Sequence, residues 1–385
     1  MKTIRNIAST LFTAFAALGF ISCTGNGSLS SMMGNPEIVK IDMDAEEKVV
    51  NLSELTDSIV FVPLETNETS QFGNMDKLII DEERFIIVDK DVSSAVYVFD
   101  SEGHFCNKIG SKGRAGNEYV NLTDATVGNG NVYIYDAYSK KIVCYAMDGT
   151  YKETYPFEYI ATDFRYIGGN TFAFYCSYSP NMELAEGNQV PNFILYDIES
   201  KSLQKDMMFD ATCSYDALPI SSNNLNPYLY DALSREIYGI NEKDKYLVAQ
   251  IDYEEPYNKM QDEFLKRAYS GLANMKDLDE AKAEGTLPEL RNFMNTGNAF
   301  FVFCTKGSKS FYNFYFYNTG KTVHAVGNKV PIKDDLYASI KMIPKAAGNG
   351  NLYVKVEPSY VSGEKFPVKV QPNDNPVIAI IKLKE

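Results

Sequence analysis

Arg114, Glu118 and Tyr119 fall within one short segment, Gly113-Arg114-Ala115-Gly116-Asn117-Glu118-Tyr119. A guanidinium offers a planar fork of donors, a carboxylate accepts, and a phenol presents an amphipathic ring, so the three together suit a glycan or a peptide. The plainer reading is that Arg114 and Glu118 pair with each other and pin their own loop. Four further cations, Lys77, Arg165, Arg291 and Lys341, lie on or beside short β-type runs. If those runs line one channel, the cations focus positive potential on an anionic ligand, although strand alternation turns some of them away. Asp89 and Asp136 close two such runs, with Tyr138 just behind, and their ordinary role is to form the turn by side-chain to backbone bonds.

Other chemistries are excluded by count. His104 and His324 are the only histidines, too few for a His-based metal lyase, so no metal and no cofactor is expected. The chain has no Trp, which removes the Trp-containing repeats of sialidase-like hydrolases and the usual carbohydrate platform. Neither a Gly-x-Ser-x-Gly elbow nor a phosphate loop occurs. A binding module for a glycan, a peptide or an outer-membrane partner is therefore the leading expectation. A hydrolase or lyase acting on a polysaccharide or peptide is the alternative, because carboxylates are spread along the whole chain. The formal net charge of −14 argues against nucleic acid and anionic lipid, both of which require basic patches.

The front end reads as an export signal. Lys2 and Arg5 precede an uncharged apolar run from Ile7 to Ile21, too short for a spanning helix, and Ser22-Cys23 ends it. Gly19-Phe20-Ile21-Ser22-Cys23 resembles a bacterial lipobox, so Cys23 is the expected lipidation site and the membrane the expected anchor. Each buried methylene of an acyl chain contributes about 0.8 kcal/mol, enough for several chains on one Cys to hold a protein at a bilayer. The domain division is then a signal over 1–22, a flexible Ser/Gly/Asn-rich tether over 23–45, and one folded body over 46–385. The expected location is the outer membrane, on its periplasmic face or at the cell surface, as a monomer. Of the cysteines after Cys23, namely Cys106, Cys144, Cys176, Cys213 and Cys304, the spacing fits no metal pattern, and their number is odd; they read as small apolar residues inside strands.

Positioning such groups requires a repeat, and one is present. Val96 to Phe105 aligns with Ile142 to Tyr151, setting Gly103 and Gly149 46 residues apart, while Asp89 and Asp136 are offset by 47. A period in the forties, with several Val/Ile/Tyr/Phe runs per repeat, predicts an all-β propeller. Six blades are expected, with inner strands Lys77 to Asp81, Asp124 to Val127, Asp163 to Ile167, Tyr228 to Ala232, Arg291 to Asn295 and Ser339 to Ile343. The last blade lacks a strand, which Ile59 to Leu64 can supply by pairing with Val377 to Leu383, closing the ring and removing its edges. Met260, Phe264, Leu265, Tyr269 and Leu272 recur at helical spacing, predicting a short helical insertion over 257–284 that packs on the propeller as a lid or brace.

The ordered motifs Phe61 to Glu68 (FVPLETNE), Ile109 to Tyr119 (IGSKGRAGNEY), Arg235 to Ile240, Lys245 to Tyr253, and Asp374 to Lys384 (DNPVIAIIKLK) resemble the six-bladed β-propeller lipoproteins of Bacteroidetes over essentially the whole mature chain. That family's loop after the first blade tends to carry Gly and Pro where Ala115 and Asn117 stand here, a departure that alters the loop's rigidity. Its blades are similar to NHL repeats, which are mostly binding modules. The resemblance implies fold and location more than activity.

Overall fold

The computed structural model describes residues 35–211, 228–273, 275–361 and 366–384; the segment expected to be an export signal, Cys23 and Cys213 lie outside them. Six sheets form the blades of a propeller. The first comprises Lys77–Asp81, Arg84–Asp89, Ala95–Asp100 and Phe105–Ile109, and the second Asp124–Gly128, Asn131–Asp136, Lys141–Ala146 and Tyr151–Pro156. Their middle strands are buried nearly end to end, as in Arg84–Asp89 and Ala95–Asp100, because neighbouring blades cover both faces. This is why these strands read as continuous apolar runs rather than alternating ones. The third blade is Asp163–Gly168, Thr171–Tyr175, Gln189–Asp197 and Leu203–Asp210; the fifth is Glu289–Asn295, Ala299–Lys306, Lys309–Phe316 and Lys321–Gly327.

The sixth blade closes the ring as expected. Pro344–Gly348, Asn351–Val356 and Val377–Leu383 take Thr56–Pro63 as their outer strand, antiparallel, with Val377 opposite Pro63. The two motifs that flank this seam bind each other. Asn375, 2% exposed, donates its side-chain amide to Glu65 O and Ser70 O at 2.8 and 2.9 Å, and its backbone N–H donates to Thr66 Oγ1 at 2.7 Å. The inner strand begins at Pro344, so Ser339 to Ile343, expected as that strand, is irregular loop. Asp334 shapes that loop instead, accepting four backbone N–H groups from Leu336, Tyr337, Ser339 and Ile340.

The fourth blade corrects two expectations. Tyr228 to Ala232 supplies only a single bridge, Leu229 to Tyr238, beside the strands Glu236–Ile240 and Lys245–Asp252. Its outer strand is Glu37–Lys40, which pairs parallel with Lys245–Asp252, so the folded body starts before residue 46 and takes in residues expected as part of a tether over 23–45. Val39, Ile41 and Met43 are fully buried among Ile237, Ala249, Phe293 and Phe300, while Ile38 and Lys40 face outward. The chain then bridges Lys48 to Val326 of the fifth blade, pairs Val50–Asn51 with Ile332–Lys333, and enters the seam strand. The segment before the seam is thus a belt over three blades.

The helical insertion is a brace. Helices Tyr257–Tyr269 and Met275–Ala283 bury Phe264, Ala268 and Leu278 against Tyr178, Val190 and Phe209 of the third blade. Arg235 fixes the first helix through Asp262 at 2.6 Å. Turns joining second to third strands, and connections between blades, leave the ring at the end where the inner strands begin; the remaining hairpins leave at the opposite end.

Candidate functional site

Inner strands pair on one side only, so part of their backbone N–H and C=O groups face the central channel. Within it, Lys77–Asp81, Thr126, Val127, Arg165, Tyr166, Ala346 and Ala347 enclose a cavity of about 330 Å³. Of the four cations expected there, Lys77 and Arg165 line it and the other two do not. Arg291 sits in a bulge between Leu290 and Asn292, where the extra residue turns its side chain out of the repeat. It binds Glu289 at 2.6 Å, whose other oxygen holds Lys282 of the insertion at 2.6 Å. Lys341 lies in the irregular loop before the sixth inner strand, its ammonium 4.1 Å from the Tyr360 ring centroid.

Lys77 belongs to a buried charge cluster at the head of the channel. It donates to Asp124 at 2.9 Å and to Ala125 O at 3.1 Å, and Lys90 approaches the other Asp124 oxygen at 3.0 Å. Asp124 also accepts the Phe164 N–H at 3.0 Å, which ties the second blade to the third. Burial opposes the Asp124 charge, but the two ammonium groups outweigh it and hold the carboxyl below the usual carboxylate range. Burial, followed by the Asp124 charge, raises the Asp163 carboxyl instead. Lys77 and Asp124 occupy the same position 47 residues apart in successive repeats, so opposite charges at one repeat position were a signal for this contact that the search for channel cations passed over. Arg165 lies deeper, where Tyr228 and Tyr246 act on it electrostatically and burial works against its charge.

The loop carrying Arg114, Glu118 and Tyr119 clamps the first two blades together rather than opening onto the channel. Glu118 accepts the Ala115 N–H at 2.8 Å, and no ion pair joins it to Arg114, whose side chain is exposed; the expected Arg114 to Glu118 pair is absent among the described residues. Tyr119, 1% exposed, donates to Ser94 O at 2.5 Å and covers Gly110, where a Cβ would meet its hydroxyl at 2.3 Å. Gly110 also has φ +112°, a left-handed conformation that glycine adopts without strain. The second blade reaches back through Lys141, Tyr145 and Thr154 to the carbonyls of Ala115, Asn117 and Gly116.

Asp89 and Asp136 are the turn formers expected. Each is fully buried, and each spans the same two sequence separations, 16 residues back and 3 forward: Asp89 accepts Gly73 N–H and Val92 N–H at 2.8 and 3.1 Å, Asp136 accepts Val120 N–H and Ser139 N–H at 2.7 and 2.9 Å. Tyr138, 74% exposed, projects from the second of these turns. Among the described residues, no group of three or more His, Cys, Asp or Glu side chains is placed to share a metal ion, and no helix is long and apolar enough to cross a membrane. Cys144, Cys176 and Cys304 are buried and unbridged, with burial pushing the Cys144 thiol up to about 11.

The fold recurs in solved structures. A Bacteroides fragilis protein inferred to be exported matches at TM-score 0.68 and 16% identity, over 91% of this chain and all of that one. A DUF4221-family member from Bacteroides vulgatus matches at TM-score 0.50 and 10% identity, over 88% of this chain and 99% of that one. At these identities the likeness speaks for the propeller alone. Among curated proteins, none matches the chain. A family model does match residues 37–382, from the belt strand of the fourth blade to the last strand of the sixth, and the chain therefore belongs to the DUF4934 family, described as a domain of unknown function.

Proposed function

We propose that this protein is an exported, lipid-anchored binding module that holds a protein or peptide partner on the propeller face where the blade connections emerge. The observation carrying this reading is the placement of exposed apolar side chains. Among the described residues thirteen large apolar side chains are exposed, and nine of them, including Val92, Tyr138, Ile160, Met182, Leu272 and Tyr360, sit in connections at that end. Only Tyr151 among them follows a hairpin of the opposite end. Scattered exposed apolar residues need no explanation, but a one-sided gathering on loops held by a rigid ring is how binding surfaces are built. Cys23 stands 14 residues before Glu37, so an acyl anchor leaves a reach of roughly 45 Å from the outer edge of the fourth blade. That allows the connection face to meet a partner on the outer membrane, at the periplasmic face or at the cell surface; the B. fragilis neighbour, itself described as exported, supports the export part of this reading.

A photo-crosslinking amino acid placed at Tyr138 or at Tyr151 tests the face. Discrete adducts from position 138, abolished when Val92, Met182 and Leu272 are changed to Ser, are expected; equal adducts from both positions overturn the reading. Cys23→Ala should move the protein from the membrane to the soluble fraction, and a variant that stays in the membrane removes the lipid anchor from the proposal.

A further inference from the structure

We propose that the pocket between the loop before the sixth inner strand and the turn at Tyr360 takes a carboxylate of the protein or peptide partner, carried beside apolar residues and bound by Lys341. Both walls lie in connections of the sixth blade, so the proposal rests on the reading of that face as a partner surface and names the chemistry it selects. Asp334, Ala338, Ser339, Ile340, Lys341 and Tyr360 enclose about 360 Å³, at the lower end of the range for ligand pockets, room for a side chain or a chain terminus rather than a folded element.

The walls are held in place by the protein itself. One oxygen of Asp334 accepts the N–H groups of Leu336 and Tyr337 at 3.0 and 2.9 Å, and the other those of Ser339 and Ile340 at 2.9 and 2.8 Å, which spreads its charge over the loop it shapes. Ser339 donates to Tyr337 O and Tyr360 O, both at 3.2 Å, and so ties the two sides of the pocket together. Tyr337 in turn packs edge-on against Phe61 of the seam strand, with centroids 4.9 Å apart. Lys341 is the cation of the wall. Among the described residues no carboxylate lies within ion-pair distance of it; its ammonium rests 4.1 Å from the Tyr360 ring centroid, a contact that positions the charge without neutralising it. Nor does any described residue accept the backbone N–H of Ala338 or of Lys341. An ammonium is a compact point charge with rotatable donors, and one such charge matches one carboxylate. Leu336, Ile343 and Tyr360 are exposed around the pocket, so the acid that fits best has apolar neighbours. The chain carries a formal net charge of −14, which repels an acidic segment over most of the surface and makes an open cation selective for where it docks.

The carboxylate could come from an acidic side chain or from a chain terminus, and calorimetry with three short peptides separates them. The probes are an acetylated and amidated peptide with one Glu between Leu and Phe, the same peptide with Gln in place of Glu, and the Gln peptide with a free C-terminal carboxylate. One or both acidic peptides should bind about fivefold or more tightly than the neutral one, the difference that a single ammonium–carboxylate bond makes at the rim of a pocket. Preference for the Glu peptide assigns a side chain, and preference for the free carboxylate a terminus. Lys341→Gln should abolish the preference, while Lys341→Arg, which keeps the charge, should retain most of it. Equal binding of all three peptides, no binding of either acid, or an unchanged preference in Lys341→Gln each overturns the proposal. Lys341 is exposed, so its replacement leaves the fold intact, and the comparison among peptides uses the unsubstituted protein. The titrations report the pocket and the crosslinks from position 138 report the face, so loss of acid preference with those adducts retained removes the pocket alone.

Discussion

The second blade is drawn from one continuous stretch, Asp124 to Pro156, whereas the fourth combines Glu236–Ile240 and Lys245–Asp252 with a strand from the far end of the chain, Glu37–Lys40. The two also tie their inner ends differently. In the second, Asp124 joins two lysines and a backbone N–H of the next blade, and Asp136 locks its own turn. At the fourth, Asp231 is 2% exposed and receives the hydroxyls of Tyr175 and Tyr178 beneath the helical brace. A blade made of adjacent residues has a small loop-closure cost and needs only a few polar locks at fixed repeat positions. A blade that has lost that regularity recruits a distant strand and a helical pair to cover the same apolar surface.

The comparison can be broken by substitution. The largest loss is expected from Asp124→Ala, which leaves Lys77 and Lys90 facing each other in a buried site; removing one partner of a buried pair costs about 3–5 kcal/mol, read from urea unfolding, and adding Lys77→Met should restore part of it. Val39→Asp should cost about 3 kcal/mol by placing a charge in the fully buried core that the belt strand makes with the fourth blade, and a neutral result would mean that this blade stands without its borrowed strand. Asp89→Ala and Asp136→Ala should each cost about 2 kcal/mol and agree to within about 1 kcal/mol, since both remove a buried carboxylate that holds equivalent, partly buried N–H groups; unequal losses would show that the first two blades are less alike than their geometry. Tyr119→Phe should lose about 1 kcal/mol with its bond to Ser94 O, while Arg114→Ala should change thermal stability by less than about 0.5 kcal/mol.

Most strands were legible because blades covered on both faces produce apolar runs bounded by Asp, Asn and Gly, and Arg84–Asp89, Asn131–Asp136, Lys141–Ala146 and Asn351–Val356 fall where those runs lie. The seam was legible for a different reason: three strands' worth of pattern in the last four-stranded repeat leave one position that an unassigned N-terminal run can fill. Glu37–Lys40 escaped because four residues carry too little alternation to stand out from a polar segment. Of the site, Arg165 was placed in the channel from strand position alone, but Arg291 was displaced by a bulge and Lys341 by a strand that starts at Pro344, neither of which has a periodic signature. The bonds from Asn375 to Glu65 and Ser70 join residues about 300 positions apart, a relation that no local pattern encodes.

The belt also decides how the molecule meets a mechanical load. Tension arriving along the chain from its N-terminal side first encounters Glu37–Lys40 on the rim of the fourth blade, then the pairing of Val50–Asn51 with Ile332–Lys333, and only afterwards the seam strand Thr56–Pro63. Three short attachments, the bridge of Lys48 to Val326 among them, must peel away before stretching reaches the strand that holds the ring shut. The rim therefore acts as a fuse, letting a tethered propeller yield at its margin while the closed circle and its channel keep their shape.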